Sequence, residues 1–180
     1  MNWRLIGFAI ALDVIIVDQL TKWWIVTDFL RLNDVPLISW LLQKAPQYDF
    51  VRHEITSFLN IVMVWNPGVS FGLLQSGHGY AAYVLTAMAA LIAIGFGVWL
   101  WREPSKLRAI SIGMIIGGAV GNVWDRLRFG AVVDFVDVHV AGYHWPAFNV
   151  ADAAICIGVL ILLLETFLCA PEVSMTEKKI

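Results

Sequence analysis

Between Ile55 and Arg102 the chain carries no Asp, Glu, Lys or Arg. Within that stretch, the residues from about 79 to 101 are almost continuously apolar. A helix of about 20 such residues crosses the ~30 Å hydrocarbon core of a bilayer. A membrane leaves few folds open, because every backbone polar group must find its partner inside the spanning element. Three more apolar segments of similar length follow the same pattern, at about 5–24, 107–124 and 150–168. Composition agrees, since only 14% of residues are charged where an ordinary soluble domain has about 25%. The expectation is one integral membrane domain over residues 1–180, all-α in its spans, with four transmembrane helices.

Orientation follows from the short connection at about 102–106. Arg102, Lys106 and Arg108 crowd around it, and basic residues in a short loop identify the cytoplasmic side. Both termini then fall in the cytoplasm, including a tail with Lys178 and Lys179. The excursions at about 26–77 and 126–148 lie on the outer face. Trp3, Trp23, Trp24, Trp99, Trp101 and Trp124 stand near segment ends, where an aromatic belt would place them. A cleaved signal peptide is the rival reading of the first segment. Asp13 and Asp18 interrupt it, however, and no small-residue cleavage site follows before Trp23.

The excursion at 26–77 scatters charges among Pro36 and Pro46 and is too broken to span. Its later part, Phe58 to Trp65, is rich in β-branched and aromatic residues and suits a short strand. Asn66-Pro-Gly-Val-Ser-Phe-Gly72 reads as a turn, with Asn66 as a turn residue on the plainest view. In the third segment Gly113, Gly117 and Gly121 recur every four residues, a spacing that lets another helix approach within the chain or between chains. Ala131 to Val140 reads as a short strand or an interfacial segment. Asn149 is placed to cap the fourth helix, which puts Asp152 at its third position.

The polar residues of Gly117–Asp152 are out of keeping with so apolar a chain. Asp125, Asp134, Asp137 and Asp152 stand there with Asn122, Arg126 and Asn149. An ionisable group in a membrane costs several kcal/mol unless it is paired or faces water, so such a cluster is a functional-site hypothesis. Asp18 and Lys22, four apart on one helix face, are either part of it or an ion pair that anchors the helix end. Asp18, Asn66, Asn122, Asp125, Asp134, Asn149 and Asp152 all fall at the outer boundary. Asp152 has a plain alternative as a capping acid.

Two acids held together cannot both ionise easily. The ionised one takes a proton from water while the protonated one polarises a carbonyl. Asp134 and Asp152 are the pair expected to do so. Ion-coupled transport would place acids near the bilayer midplane on broken helices; an inert scaffold leaves the cluster unexplained. Other chemistries lack their motifs. Serine or cysteine chemistry lacks a plausible triad, there is no HExxH and no CxxC, and Cys156 and Cys169 both lie in or beside the last apolar segment. With a net charge of −2, nothing points to nucleic acid. No metal and no cofactor is expected.

Five blocks, taken in order, resemble the bacterial lipoprotein signal peptidases (signal peptidase II). They are Asp18-Gln-Leu-Thr-Lys22, Asn66-Pro-Gly-Val-Ser-Phe-Gly72, Gly117-Gly-Ala-Val-Gly-Asn-Val-Trp-Asp-Arg126, Val132-Val-Asp-Phe135 and Phe148-Asn-Val-Ala-Asp152. The resemblance implies an aspartic endopeptidase of the inner membrane with its site facing the periplasm. Its substrate would be a prolipoprotein carrying a diacylglyceryl group on cysteine, cleaved just before that cysteine. By motif position the catalytic acids are Asp134 and Asp152. Asp18, Lys22, Asn66, Gly68, Asn122, Asp125, Arg126 and Asn149 would support them or position substrate. The implied fold is four transmembrane helices with a small periplasmic β-cradle and a loop over the site. Membrane lipid and the prolipoprotein are the expected partners of a monomer. The stretch at about 30–56 is longer than the family's usual first outer loop.

Overall fold

A computed structural model describes residues 2–42, 48–68 and 80–168. Its long elements are helices α1 (Trp3–Trp24), α3 (Tyr80–Arg102), α4 (Lys106–Phe129) and α5 (Val150–Leu168), with a short helix α2 (Leu37–Leu42). Strands β1 (Val51–Thr56), β2 (Leu59–Asn66), β3 (Val132–Val140) and β4 (Tyr143–His144) form one antiparallel sheet in the order β1-β2-β3-β4. Among the described residues three helices are long and apolar enough to cross a membrane: Tyr83–Arg102, Lys106–Phe129 and Val150–Leu168. Helix α1 is comparable in length, at 22 residues, but carries Arg4, Asp13, Asp18 and Lys22.

The α4 glycines explain how the helices come together. A Cβ on Gly113 would run into the Gly7 carbonyl, and one on Gly117 would meet the Ala11 carbonyl at 2.6 Å. Gly118 is closed in the same way by the Ala151 carbonyl of α5. The small-residue face therefore packs inside the chain, with α1 on one side of α4 and α5 on the other. Ala11, Leu100, Ala109, Ile112 and Ile116 fill the space between α1, α3 and α4. Ser105 caps α4, and its neighbour Glu103 is buried, accepting from Trp99 Nε1 and from the Ser105 amide.

Two boundaries differ from the sequence expectation. Helix α1 does not stop at Trp24; a π-helical turn, Ile25–Phe29, carries it on, so the first excursion begins near residue 30. Helix α4 passes Trp124 and ends at Phe129, where Gly130 caps it in the left-handed conformation (φ 74°). Arg126, where the second excursion is expected to begin, is thus a helix residue. The cause is that Asp125 and Arg128 find partners across the helix bundle in Lys22 and Gln19, so they do not break the helix.

The sheet stands at the α1 and α4 ends of the bundle. β2 pairs with β3 so that Val64 faces Asp134 and Asn60 faces Asp137. Under the sheet, Val26, Trp40, Met63, Phe129 and Val133 form a second core. Val132 to Phe135 are buried on both faces of β3, which is why its hydrophobic alternation is imperfect. Residues 69–72 of the turn block, the start of the second apolar segment at 79, Cys169 and the tail with Lys178 and Lys179 lie outside the described residues.

Candidate active site

Asn149 precedes the first residue of α5, and its Oδ1 accepts the Asp152 amide at 2.9 Å. Asp152 Oδ2 accepts the Asn149 amide in return, at 3.2 Å. This is a reciprocal capping box, so the capping role expected for Asp152 is real. It engages one oxygen only. Oδ1 instead accepts from Asn122 Nδ2 at 2.7 Å, across from α4.

Asp134 comes from β3, and its two oxygens are held by two side-chain amides. Asn149 Nδ2 donates to Oδ1 at 2.8 Å and Asn66 Nδ2 to Oδ2 at 2.9 Å. Asn149 therefore contacts both acids, one through its side chain and one through its backbone. Asn66 bonds on two sides. While its Nδ2 holds Asp134, its Oδ1 accepts the Gly68 amide at 2.8 Å and closes a turn. Gly68 has φ +92°, and a Cβ there would strike the Leu85 side chain.

Beneath the pair lies a buried ionic cluster. Lys22 Nζ is 2.8 Å from Asp18 Oδ2 and 2.8 Å from Asp125 Oδ2, and all three side chains are fully buried. Gln19 donates to Asp125 Oδ1 and accepts from Arg128 Nη2, and Arg128 Nη2 is also 3.3 Å from Asp125 Oδ1. Two acids are thus matched by two cations, the condition under which buried charge is tolerable. Each acid of the cluster also holds backbone next to the upper pair. Asp18 Oδ1 accepts the Ala151 amide in the first turn of α5, at 3.0 Å. Asp125 Oδ2 accepts the Val133 amide beside Asp134, at 3.2 Å. The Asp18–Lys22 ion pair thus anchors α1 to α4 and to the first turn of α5. Arg126 is half-buried within the attractive field of Asp152, Asp134 and Asp125.

Asp134 is 1% exposed. Burial and then the charge of Asp152 push its carboxyl up to about 7, against the hydrogen bond from Asn66, the Lys22 charge and the hydrogen bond from Asn149. It borders a cavity of about 200 Å³ lined by Val64, Trp65, Asn66, Pro67, Pro146 and Ala147. Asp137, the remaining acid of the stretch, stands apart. Burial works to raise its carboxyl, but hydrogen bonds from Asn60 and His144 outweigh it and hold the group below the usual range. Arg128 and Trp40 were not singled out in the sequence. The (i, i+3) spacing of Asp125 and Arg128 is the one signal that marks Arg128. Among the described residues no three His, Cys, Asp or Glu side chains are grouped to hold a metal ion.

The described residues thus bring together membrane-compatible helices, a small sheet and an amide-framed acid pair beside a cavity. Residues 10–168 match the family model described as Signal peptidase (SPase) II. A lipoprotein signal peptidase of Rhizorhabdus wittichii is 42% identical over 166 residues, covering 92% of this chain and 87% of that protein. One from Acinetobacter baumannii is 36% identical, covering 91% and 84%. A bacterial membrane enzyme solved by the in meso method at 2.3 Å resolution is 27% identical and superposes with a TM-score of 0.68, covering 96% of this chain and 94% of that one. The chain belongs to the signal peptidase II family, and is a membrane protease.

Proposed function

We propose that the chain is an aspartic endopeptidase that removes the signal peptide from diacylglyceryl-modified prolipoproteins, cutting just before the lipidated cysteine. The observation that carries the reading is the pair Asp134 and Asp152, tied to one another through Asn149, with Asp134 raised to about 7 at the edge of a cavity. The family relatives named lipoprotein signal peptidase supply the substrate class.

In this mechanism the pair shares one proton, which Asp134 holds. Asp152 takes a proton from a water molecule, whose oxygen attacks the scissile carbonyl carbon. Asp134 donates its hydrogen bond, then its proton, to the carbonyl oxygen. The tetrahedral intermediate collapses as that oxygen returns its proton to Asp134. Asp152 passes the proton it took from water to the leaving nitrogen, and the C–N bond breaks. The amides of Asn66, Asn122 and Asn149 hold both carboxyls in place at no cost at the moment of reaction. No metal or cofactor takes part.

The enzyme sits in the bacterial inner membrane as a monomer with four spans. Its acid pair is at the periplasmic side and both termini are cytoplasmic, as the basic 102–106 connection favours. Purified protein is expected to cleave a diacylglyceryl-modified prolipopeptide and to leave the unmodified peptide largely intact. Equal turnover of both would reject the lipidated substrate class.

A further inference from the structure

Arg128 ties helix α2 of the first excursion to the buried cluster. Arg128, 8% exposed, donates through Nη1 to the Trp40 carbonyl of α2. Its other terminal nitrogen holds Gln19 Oε1 at 2.7 Å and lies 3.3 Å from Asp125 Oδ1. The guanidinium is stacked among rings, 4.3 Å from the Phe129 centroid and 5.7 Å from that of Trp40. Trp40 is itself fully buried and packs on Phe129 at 5.3 Å. From Asp125 the next contact is the Val133 amide, and Asp134 is the next residue.

We infer that Arg128 is a positioning residue, clamped by α2, through which the first excursion sets the place of Asp134. It touches no reacting atom. The fork geometry of a guanidinium suits it to bridge a backbone carbonyl, an amide and a carboxylate at once. Without it, Asp125 Oδ1 keeps only the Gln19 bond, and Lys22 alone faces two buried acids. Asp125 is then free to turn toward Lys22 and away from the Val133 amide, and β3 shifts where Asp134 leaves it. This gives α2 a purpose: it closes the cluster from the side that α1, α4 and β3 leave open.

The inference rests on the aspartic reading, so its test carries a separate control. Steady-state cleavage of a diacylglyceryl-modified prolipopeptide is measured for the purified full chain in detergent, with Arg128→Met, Arg128→Lys, Trp40→Leu and Asp134→Asn. Misplacing a reacting group by a fraction of an ångström to an ångström costs on the order of tenfold to a hundredfold in rate. Arg128→Met is expected to lose kcat on that scale with KM within about threefold of wild type. Arg128→Lys, which keeps the charge, recovers part of the loss, and Trp40→Leu lowers kcat several-fold in the same direction. Folded Arg128→Met with wild-type kcat, or a loss confined to KM, overturns the inference. Should Arg128→Met not fold, wild-type kcat in Trp40→Leu overturns it equally. Turnover by Asp134→Asn would instead reject the aspartic reading beneath it.

Discussion

Asp134 and Asp125 are acids of the same stretch with opposite duties. Among the described residues Asp134 is bound by the neutral amides of Asn66 and Asn149 and borders a cavity, and burial raises its carboxyl to about 7. If Asp134 must be protonated to polarise the carbonyl, the pH dependence has a definite sign. Below about 7 the required proton is present, and as pH rises through that value it is lost. The kcat profile for a lipidated peptide is expected to fall on its alkaline side with a midpoint near 7. A rate that climbs through pH 7 to 9 would reverse the assigned roles. Asp125 instead faces Lys22, Gln19, Arg128 and the Val133 amide, with no exposed surface. Asp125→Asn leaves two buried cations facing Asp18 alone, and breaking such a pair costs about 3–5 kcal/mol. Thermal unfolding in detergent should show a large loss of stability, with residual cleavage in whatever protein stays folded. A fully stable and fully inactive variant would place Asp125 in the chemistry.

At the scale of elements, the acid pair is as accurate as the contact of α4 with α5. Asn122 reaches Asp152 only because Gly118, one turn below, lets the α5 backbone close in. Gly118→Val pushes a side chain against the Ala151 carbonyl, and overpacking of this kind costs about 1–3 kcal/mol. It is expected to lower both the unfolding temperature and kcat, because the α5 terminus moves with Asp152. Gly95 on α3 has no atom within 4 Å of an added Cβ, so Gly95→Val should change neither. Unaltered cleavage by Gly118→Val would separate the acid pair from helix packing. The sequence made this contact legible through the four-residue glycine spacing, and Asn149 as a cap through its place before an apolar run. It was less clear about helix ends. The polar residues from Asp125 to Arg128 look like a loop in a linear reading, because their partners Lys22, Gln19 and Trp40 are remote in the chain. The same remoteness hid the tie of Arg128 to α2, since a contact to a backbone carbonyl has no sequence signature.

Over the whole molecule, two layers of polar residues are stacked where the bundle meets the sheet. The lower layer is ionic and buried; the upper layer is the amide-framed acid pair. Backbone bonds at Ala151 and Val133 join them, so four elements distant in sequence fix two carboxyl groups. Unbroken α1, α4 and α5, with Asp152 at a helix start and Asp134 on a strand, are poorly suited to ion-coupled transport, which favours broken helices near the midplane. The most direct test of the account is cleavage of a diacylglyceryl-modified prolipoprotein by purified protein in detergent, with and without a chelator, beside Asp134→Asn and Asp152→Asn. The account predicts cleavage by wild type alone, unaffected by chelator, with both variants folded and turnover lost by at least about a thousandfold. Near-normal turnover by either folded variant would contradict it.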